Sequence, residues 1–318
     1  MRYKFFCLLF MLGLPCLCLA QQGPFPIRTQ QPIYLQTVTI LPTRAAVLDP
    51  GVLEIRADSA YSNLFENASN GAFNINLDME LWRVGYVVSY GFLPDWEASL
   101  EIATLHFEGG FLDSFVQDFH DAFGFPNGGR GAVANGAFSY AVLQNGQALY
   151  NVAPQSYNAG DLTVTLKNQI LPELAWLFAM KFPSRSDNAG FGLGVAAEKS
   201  HRRVHGYLNL NFLVDDGNEG LENLMHKTFF DFSAAGEYSF SKKVSALLQL
   251  VGGTPRLKGT GLETWDGVPL DLIIGARGSE GKFFWQAAFS EDVTAVGPSV
   301  DFTAWISVGM RGRVSGTR

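Results

Sequence analysis

Cysteine is almost missing from this chain. The three that exist, Cys7, Cys16 and Cys18, lie within the first 18 of 318 residues, so a disulfide-stapled secreted domain is excluded for the remainder. Long apolar runs are missing too: after residue 20 no segment reaches the roughly 18 consecutive apolar residues that a spanning helix needs. Charge is sparse, at 17% Asp, Glu, Lys and Arg, where soluble domains carry ~25%. Positive charge is the scarcer sign. Of 23 basic residues, Arg2 and Lys4 belong to the leader described next, leaving 21 against 30 acidic residues and a net charge of −9. That balance argues against nucleic acid as a partner and leaves no polybasic footprint for anionic lipid.

What is present begins with an export leader. Arg2 and Lys4 precede an uncharged apolar run from Phe5 to Leu19, and Cys18-Leu19-Ala20 precedes Gln21. This is the three-part layout of a secretory signal peptide, residues 1–20, with cleavage expected after Ala20. Retention as an anchor and lipid attachment at Cys16 or Cys18 are the alternatives; Pro15 and Leu17, directly before those cysteines, stand against lipidation. Residues 21–50 follow as an irregular lead-in. Pro24, Pro26, Pro32, Pro42 and Pro50 remove ladder donors there, which keeps the stretch out of a central strand.

From residue 51 to 318 the apolar residues recur with a period of two, the mark of a strand with one apolar face. Leu53, Ile55 and Ala57 oppose Glu54, Arg56 and Asp58. Phe73, Ile75, Leu77 and Met79 oppose Asn74, Asn76, Asp78 and Glu80, and Ala98, Leu100 and Ile102 oppose Glu97, Ser99 and Glu101. Runs at 162–167, 208–214 and 230–238 behave alike, with Asp231 and Glu237 on the polar side of the last. The clearest case closes the chain: Val300, Phe302, Ala304, Ile306, Val308, Met310 and Val314 against Asp301, Thr303, Ser307, Arg311 and Arg313, with Trp305 the main exception. Weaker runs lie near 83–91, 138–150, 174–182, 190–198, 243–252, 269–277 and 283–290.

Connections alternate between short ones, such as Ser241-Lys242-Lys243, and long polar ones at 215–227 and 253–268. Outer-membrane barrels are built this way, with the short turns facing the periplasm. The reading is therefore all-β: an antiparallel transmembrane β-barrel of about 12 strands, roughly 10 to 14 being allowed. Trp82, Trp96, Trp176, Trp285 and Trp305 fall in or at the ends of candidate strands, as interfacial girdles would place them. The expected surroundings are outer-membrane lipid, with barrel-assembly machinery as the partner during biogenesis. The last strand lacks the terminal aromatic that this machinery usually reads and runs on through Ser315-Gly316-Thr317-Arg318.

One segment breaks the period. Phe111, Phe115, Phe119 and Phe123 are spaced by four, which stacks them on one stripe of a helix over 111–123, with Asp113, Gln117, His120 and Asp121 away from it. Pro126 and Gly128-Gly129 then stop and turn the chain ahead of Arg130. Here the chain resembles a known family. Pro32-Ile33-Tyr34-Leu35-Gln36-Thr37, Leu41-Pro42-Thr43-Arg44-Ala45, Phe111-Leu112-Asp113, Asp118-Phe119-His120-Asp121 and Gly124-Phe125-Pro126-Asn127-Gly128-Gly129-Arg130 look like the signature of an exported Gram-negative family of unknown function. The resemblance covers essentially the whole mature chain and implies a barrel-like fold and an envelope location, without a reaction.

Candidate chemistry is thin. Asp113, Asp118, His120 and Asp121 offer oxygen and imidazole ligands within two helical turns, but the spacing matches no metal signature, and no cofactor is expected. Ser114 with His120 and Asp118, or Ser200 with His201 and His205, supply the residue types of a lipid hydrolase without a nucleophile motif around them. Residues 181–188, starting at Lys181, read as a polar loop, and His201-Arg202-Arg203 with His205 as a strand end or a phosphate contact at the outer rim.

The expected role is a passive channel for a small or amphipathic solute. Lumen-facing Glu54, Arg56, Asp58, Asp78, Glu80, Glu97, Glu101, Asp231, Glu237 and Arg311 set its internal field. The 111–123 helix, through Asp113, Asp118, His120, Asp121 and Arg130, narrows the pore or meets a ligand. A closed structural barrel docking an envelope partner is the alternative, and an outer-membrane hydrolase the third reading.

Overall fold

A strand of alternating apolar and polar residues buries neither face alone, and a closed barrel with lipid outside and polar contents inside accommodates both. The chain adopts this solution in a computed structural model that describes residues 23–124, 129–184, 188–217, 220–294 and 297–314. The expected signal segment, Phe125–Gly128 of the motif and the last four residues lie outside these. In chain order the strands are β1 (Val52–Ser69), β2 (Phe73–Leu93), β3 (Trp96–Glu108), β4 (Ser139–Gln144), β5 (Gln147–Asn151), β6 (Gln155–Ala159), β7 (Leu162–Leu171) and β8 (Leu174–Phe182). They continue as β9 (Gly190–His201), β10 (Val204–Asp215), β11 (Thr228–Ser239), β12 (Val244–Gly253), β13 (Leu270–Glu280), β14 (Phe283–Asp292) and β15 (Phe302–Arg313). Helix α1 (Asp113–Phe123) and the single turn α2 (Glu263–Asp266) interrupt them.

Twelve of these strands form the wall, in the order β1, β2, β3, then β7 through β15. All pairings are antiparallel, and β15 returns to β1 with Val52 opposite Arg313 and Asn63 opposite Phe302, which closes the barrel. The short strands β4, β5 and β6 are not part of the wall. β4 pairs with the upper half of β2, β5 with β4 and β6 with the upper half of β3. The run at 138–150 is thus a hairpin outside the wall, turned by Asn145 and Gly146 at φ 51° and 78°, values that suit an Asn-Gly turn.

One end of the barrel carries only tight connections, at 94–95, 172–173, 202–203, 240–243 and 281–282. The other carries the long ones, at 109–161, 183–189, 216–227, 254–269 and 293–301. We call these the turn end and the loop end. The outer face is apolar over strands of 9 to 12 residues from β7 to β15, which matches the ~9–11 residues that cross a bilayer core. Ile306, Val308, Leu193, Leu210 and Leu248 all expose themselves there. Aromatic residues gather on the outer wall at the turn end, where Trp96 packs edge-on against Trp176 with ring centroids 5.6 Å apart.

At the loop end, the rule that apolar means outside fails. Phe73, Ile75, Leu77 and Met79 of β2 point inward and pack with Leu105, Phe107, Tyr140, Val142, Leu221, Met225, Leu257, Leu262 and Trp265 in a dry cap. Asp78 and Glu80 consequently lie on the outer face, which corrects their expected lumenal placement. The physical reason is height. β1 and β2 run past the level of Phe302, where β15 begins, and above that level the interior holds a hydrophobic core instead of a polar lumen. Ile306 sits on the lipid face of β15 opposite Ser59 and Ala287. Replacing it with lysine should lower stability by about 2–4 kcal/mol, the cost of a cation near mid-bilayer, as measured by urea titration of the barrel in lipid vesicles.

Candidate functional site

The lumen is occupied by the chain's own lead-in. Residues 23–50 form no strand, only a single 3₁₀ turn at Tyr34–Gln36, as their prolines dictate. They rise through the barrel from the turn end, reverse at the 3₁₀ turn near the loop end, and descend to Gly51 at the base of β1. Gly23 lies against Arg44, so the two arms pass side by side. A buried backbone without a ladder must find other partners for its N–H and C=O groups. Here the wall's side chains supply them.

On the rising arm, the Phe25 N–H donates to Gln249 Oε1 at 2.8 Å, and its carbonyl accepts from Gln249 Nε2 at 3.0 Å. The Phe25 ring meets Trp305 edge-on at 5.7 Å, and the Arg277 guanidinium lies 4.7 Å above it. Trp305 breaks the alternation of β15 because it turns inward to receive this ring. Arg28 then pairs with Glu101 at 2.5 Å, which Arg83 also contacts, and Thr29 donates to Asp271.

At the tip, Arg256 lies 4.8 Å over the Tyr34 ring and 3.8 Å over Phe229. It holds Asp231 through two hydrogen bonds of 3.0 and 2.8 Å and Thr37 through a third of 3.1 Å. Burial pushes the Tyr34 phenol above its ordinary range, so it stays an uncharged hydroxyl that accepts from the Arg256 N–H.

The descending arm is held in the same way. The Val38 N–H donates to Asp215 at 2.8 Å, while Lys181, inside the lumen and almost fully buried, pairs with Asp215 at 2.8 Å and donates to the Gln36 carbonyl at 2.7 Å. Lys181 is therefore a wall residue of β8 and not part of a polar loop. Below it, Asn211 binds the Ile40 carbonyl, Asn209 accepts from the Thr43 N–H, Glu198 from the Ala45 N–H, and Glu97 from the Leu48 N–H at 2.8 Å. Lys167 closes the row with Glu97 at 3.2 Å.

Close approach on this side depends on Gly190, Gly192 and Gly194, which pave the inner face of β9. A Cβ on Gly190 would stand 2.9 Å from Val38 Cβ, and one on Gly192 or Gly194 would stand 3.2 Å from Ile40 Cδ1. That Gly-x-Gly-x-Gly run, with its period matching the strand, is the sequence signal for an inserted segment.

Polar space remains beside the lower arms. A cavity of about 270 Å³ opens at the turn end, where Glu54, Arg56, Glu97, Lys167 and Arg277 line it. A second, of about 110 Å³, shares Glu54, Arg56, Glu97 and Lys167 and reaches up to Glu101. Of the ten residues expected in the lumen, the structure places Glu54, Arg56, Asp58, Glu97, Glu101, Asp231, Glu237 and Arg311 on the inner face. Glu54 pairs with Arg311 at 2.5 Å and Asp58 with Arg56 at 2.9 Å. Glu237 accepts from Tyr207 at 2.6 Å and from Ser245 at 2.5 Å.

The expected constriction helix lies elsewhere. α1 sits on the outer wall at the loop end, across β2, β1, β15 and β14, so the lead-in and not this helix fills the lumen. Arg130, almost fully buried, fastens it. Its guanidinium binds Asp113 at 2.9 Å, Asn63 at 2.6 Å and Asp301 at 2.6 Å, and lies 5.0 Å from the Phe65 ring. Asp113 also accepts from the Gly136 N–H at 2.8 Å, and the Leu112 N–H donates to Glu80. His120 Nε2 is 3.3 Å from Glu291. Asp118 and Asp121 are exposed on a different side of the helix from Asp113, so the four candidate ligands do not converge.

Ser114 and Asp118 likewise lie away from His120 around the helix. His205 does meet Ser200, with Nδ1 2.9 Å from the hydroxyl, but its Nε2 faces Ser239 at 3.2 Å and not a carboxylate. His201-Arg202-Arg203 forms a tight turn at the turn end, with Arg202 at φ 57°, far from the rim formed by the loops.

Asp215 neutralises Lys181 and caps Val38 at once. Asp215→Ala should therefore destabilise the barrel by about 3 kcal/mol, the lower end of the range for breaking a buried pair, because Asp161, 3.8 Å from Lys181, leaves that cation a second carboxylate; Asp215→Asn should be intermediate in the same urea titration.

Among solved structures, the fold is similar to the COG4313 outer membrane channel from Pseudomonas putida F1, with a TM-score of 0.54 and 13% identity over 86% of this chain and 100% of that one. The translocator domain of the autotransporter NalP from Neisseria meningitidis gives a TM-score of 0.44 and 12% identity over 84% of this chain and 90% of that one. The first likeness identifies the architecture as that of an outer-membrane β-barrel. No curated protein sequence matches the chain. A family model described as "Protein of unknown function (DUF3187)" matches residues 18–312, and the chain belongs to that family.

Proposed function

We propose that this is an outer-membrane protein, exported through a cleaved signal peptide, that acts as a passive channel for a small or amphipathic solute and carries its own gate. The gate is the lead-in, residues 23–50. The observation that carries the reading is the pair of charged cavities running beside the lower arms between the gate and the wall. An interior meant only to be filled has no use for lumenal space lined by Glu54, Arg56, Glu97 and Lys167. The gate is also suited to release: it is held by side chains, without the cooperative ladder that binds strands to one another.

The dry cap at the loop end, with Trp265 1% exposed, favours a second reading, a closed scaffold that docks an envelope partner. Planar-bilayer recording separates the two. The intact protein should show small or rare openings, and deletion of residues 23–48 should give larger, sustained conductance. A deletion variant that migrates as a folded barrel yet conducts no better than the intact protein overturns the gate, and silence from both overturns the channel.

A further inference from the structure

A helix packed on a protein normally turns its apolar stripe inward. α1 does the reverse. Its wall side is Asp113, Val116 and His120, all buried, whereas Phe111, Phe115 and Phe123 are 73%, 48% and 68% exposed. At about 100° per residue, three arcs result: one against the wall, one of phenylalanine, and one carrying Ser114, Asp118 and Asp121. The phenylalanine arc faces the spanning part of the barrel. Phe111 packs on Tyr61 at 5.6 Å, two residues below the level of Asn63, and Phe115 packs edge-on against Phe302 at 5.6 Å, which stacks on the deeper Phe289. The polar arc faces away from that band.

We infer that α1 is an interfacial anchor whose phenylalanine stripe lies among the acyl chains around the loop end of the barrel, with Asp118 and Asp121 in the aqueous headgroup layer. Lipid is the occupant that fits, because the stripe runs through half-buried Phe302 onto the exposed apolar wall at Ile306 and Val308. An amphipathic helix lying flat at a bilayer surface has this division of faces. The Arg130 clamp to Asp113, Asn63 and Asp301 fixes its height by joining helix, β1 and the start of β15. The inference rests on the barrel spanning a membrane and is independent of whether the lumen conducts.

Spin labelling tests it. All cysteines of the chain are Cys7, Cys16 and Cys18, so with these changed to alanine a single new cysteine reports one site. Phe115→Cys, Phe123→Cys and Asp118→Cys are labelled with a nitroxide in protein reconstituted alone into phosphatidylethanolamine and phosphatidylglycerol vesicles, folding being checked by heat-modifiable migration. The ratio of oxygen to water-soluble nickel-chelate accessibility should be several-fold higher at 115 and 123 than at 118. Equal ratios at the three sites would place the helix in water and overturn the anchor. Shielding of 115 and 123 from both reagents would overturn it in favour of a second copy of the chain covering the stripe.

Discussion

The interior of this barrel is organised by one requirement: a 26-residue stretch of irregular chain, residues 23–48, lies inside it without strand partners. Its peptide groups would cost several kcal/mol each if left unpaired in a dry interior. The wall meets that requirement with Gln249, Asp215, Asn211, Asn209, Glu198 and Glu97, each aimed at a particular N–H or C=O. The lumen's polar residues are thus spaced to match a chain passing through, and the alternation of the strands turns every second side chain toward it, polar at Asn209, Asn211 and Asp215 and apolar at Leu213.

The same side chains solve a second problem. Glu97, Glu101, Glu198 and Asp215 would be costly inside the barrel as bare carboxylates, and each also meets a cation: Lys167, Arg28, Arg44 and Lys181. Two of those cations come from the wall; the other two, Arg28 and Arg44, belong to the lead-in and find their counter-charges in Glu101 and Glu198 of the wall. Buried pairs of this kind add little net stability compared with apolar packing but penalise misplacement heavily. They fix register. The apolar contacts at Phe25 with Trp305, and at Val38 and Ile40 over the β9 glycines, supply the attraction that such pairs do not.

Period-two alternation made the strands legible, and with them the number that close the wall, because that signal is local and repeated. Trp305 was legible as an anomaly, but its meaning required Phe25, 280 residues earlier. Asp78 and Glu80 were misplaced because parity gives two faces without saying which environment each meets, and β2 leaves the bilayer level partway along. The phenylalanine stripe of α1 was visible in sequence, yet its position outside the wall depends on Arg130 and Asp301 meeting across 171 positions. The lead-in's prolines said that it joins no sheet; nothing local said where it goes. Its contacts with the wall are long-range, and the periodic glycines of β9 are a part of its binding track written in one place.

The base of the lead-in is tied down tightly. Gly51 donates to the Gly91 carbonyl at 2.8 Å and accepts from Val314 at 2.9 Å, and the chain passes so close over Gly91 that a Cβ there would lie 2.4 Å from the carbonyl oxygens of Leu48 and Asp49. The lead-in is therefore fastened at the turn end, at the base of β1, and its tip packs under the loop-end cap through Ile33. Fully extended, residues 23–50 would span roughly 90 Å, about twice the thickness of the membrane with its headgroups. The same 28 residues that the barrel holds folded within its lumen are, by length alone, enough chain to cross the membrane and reach beyond it.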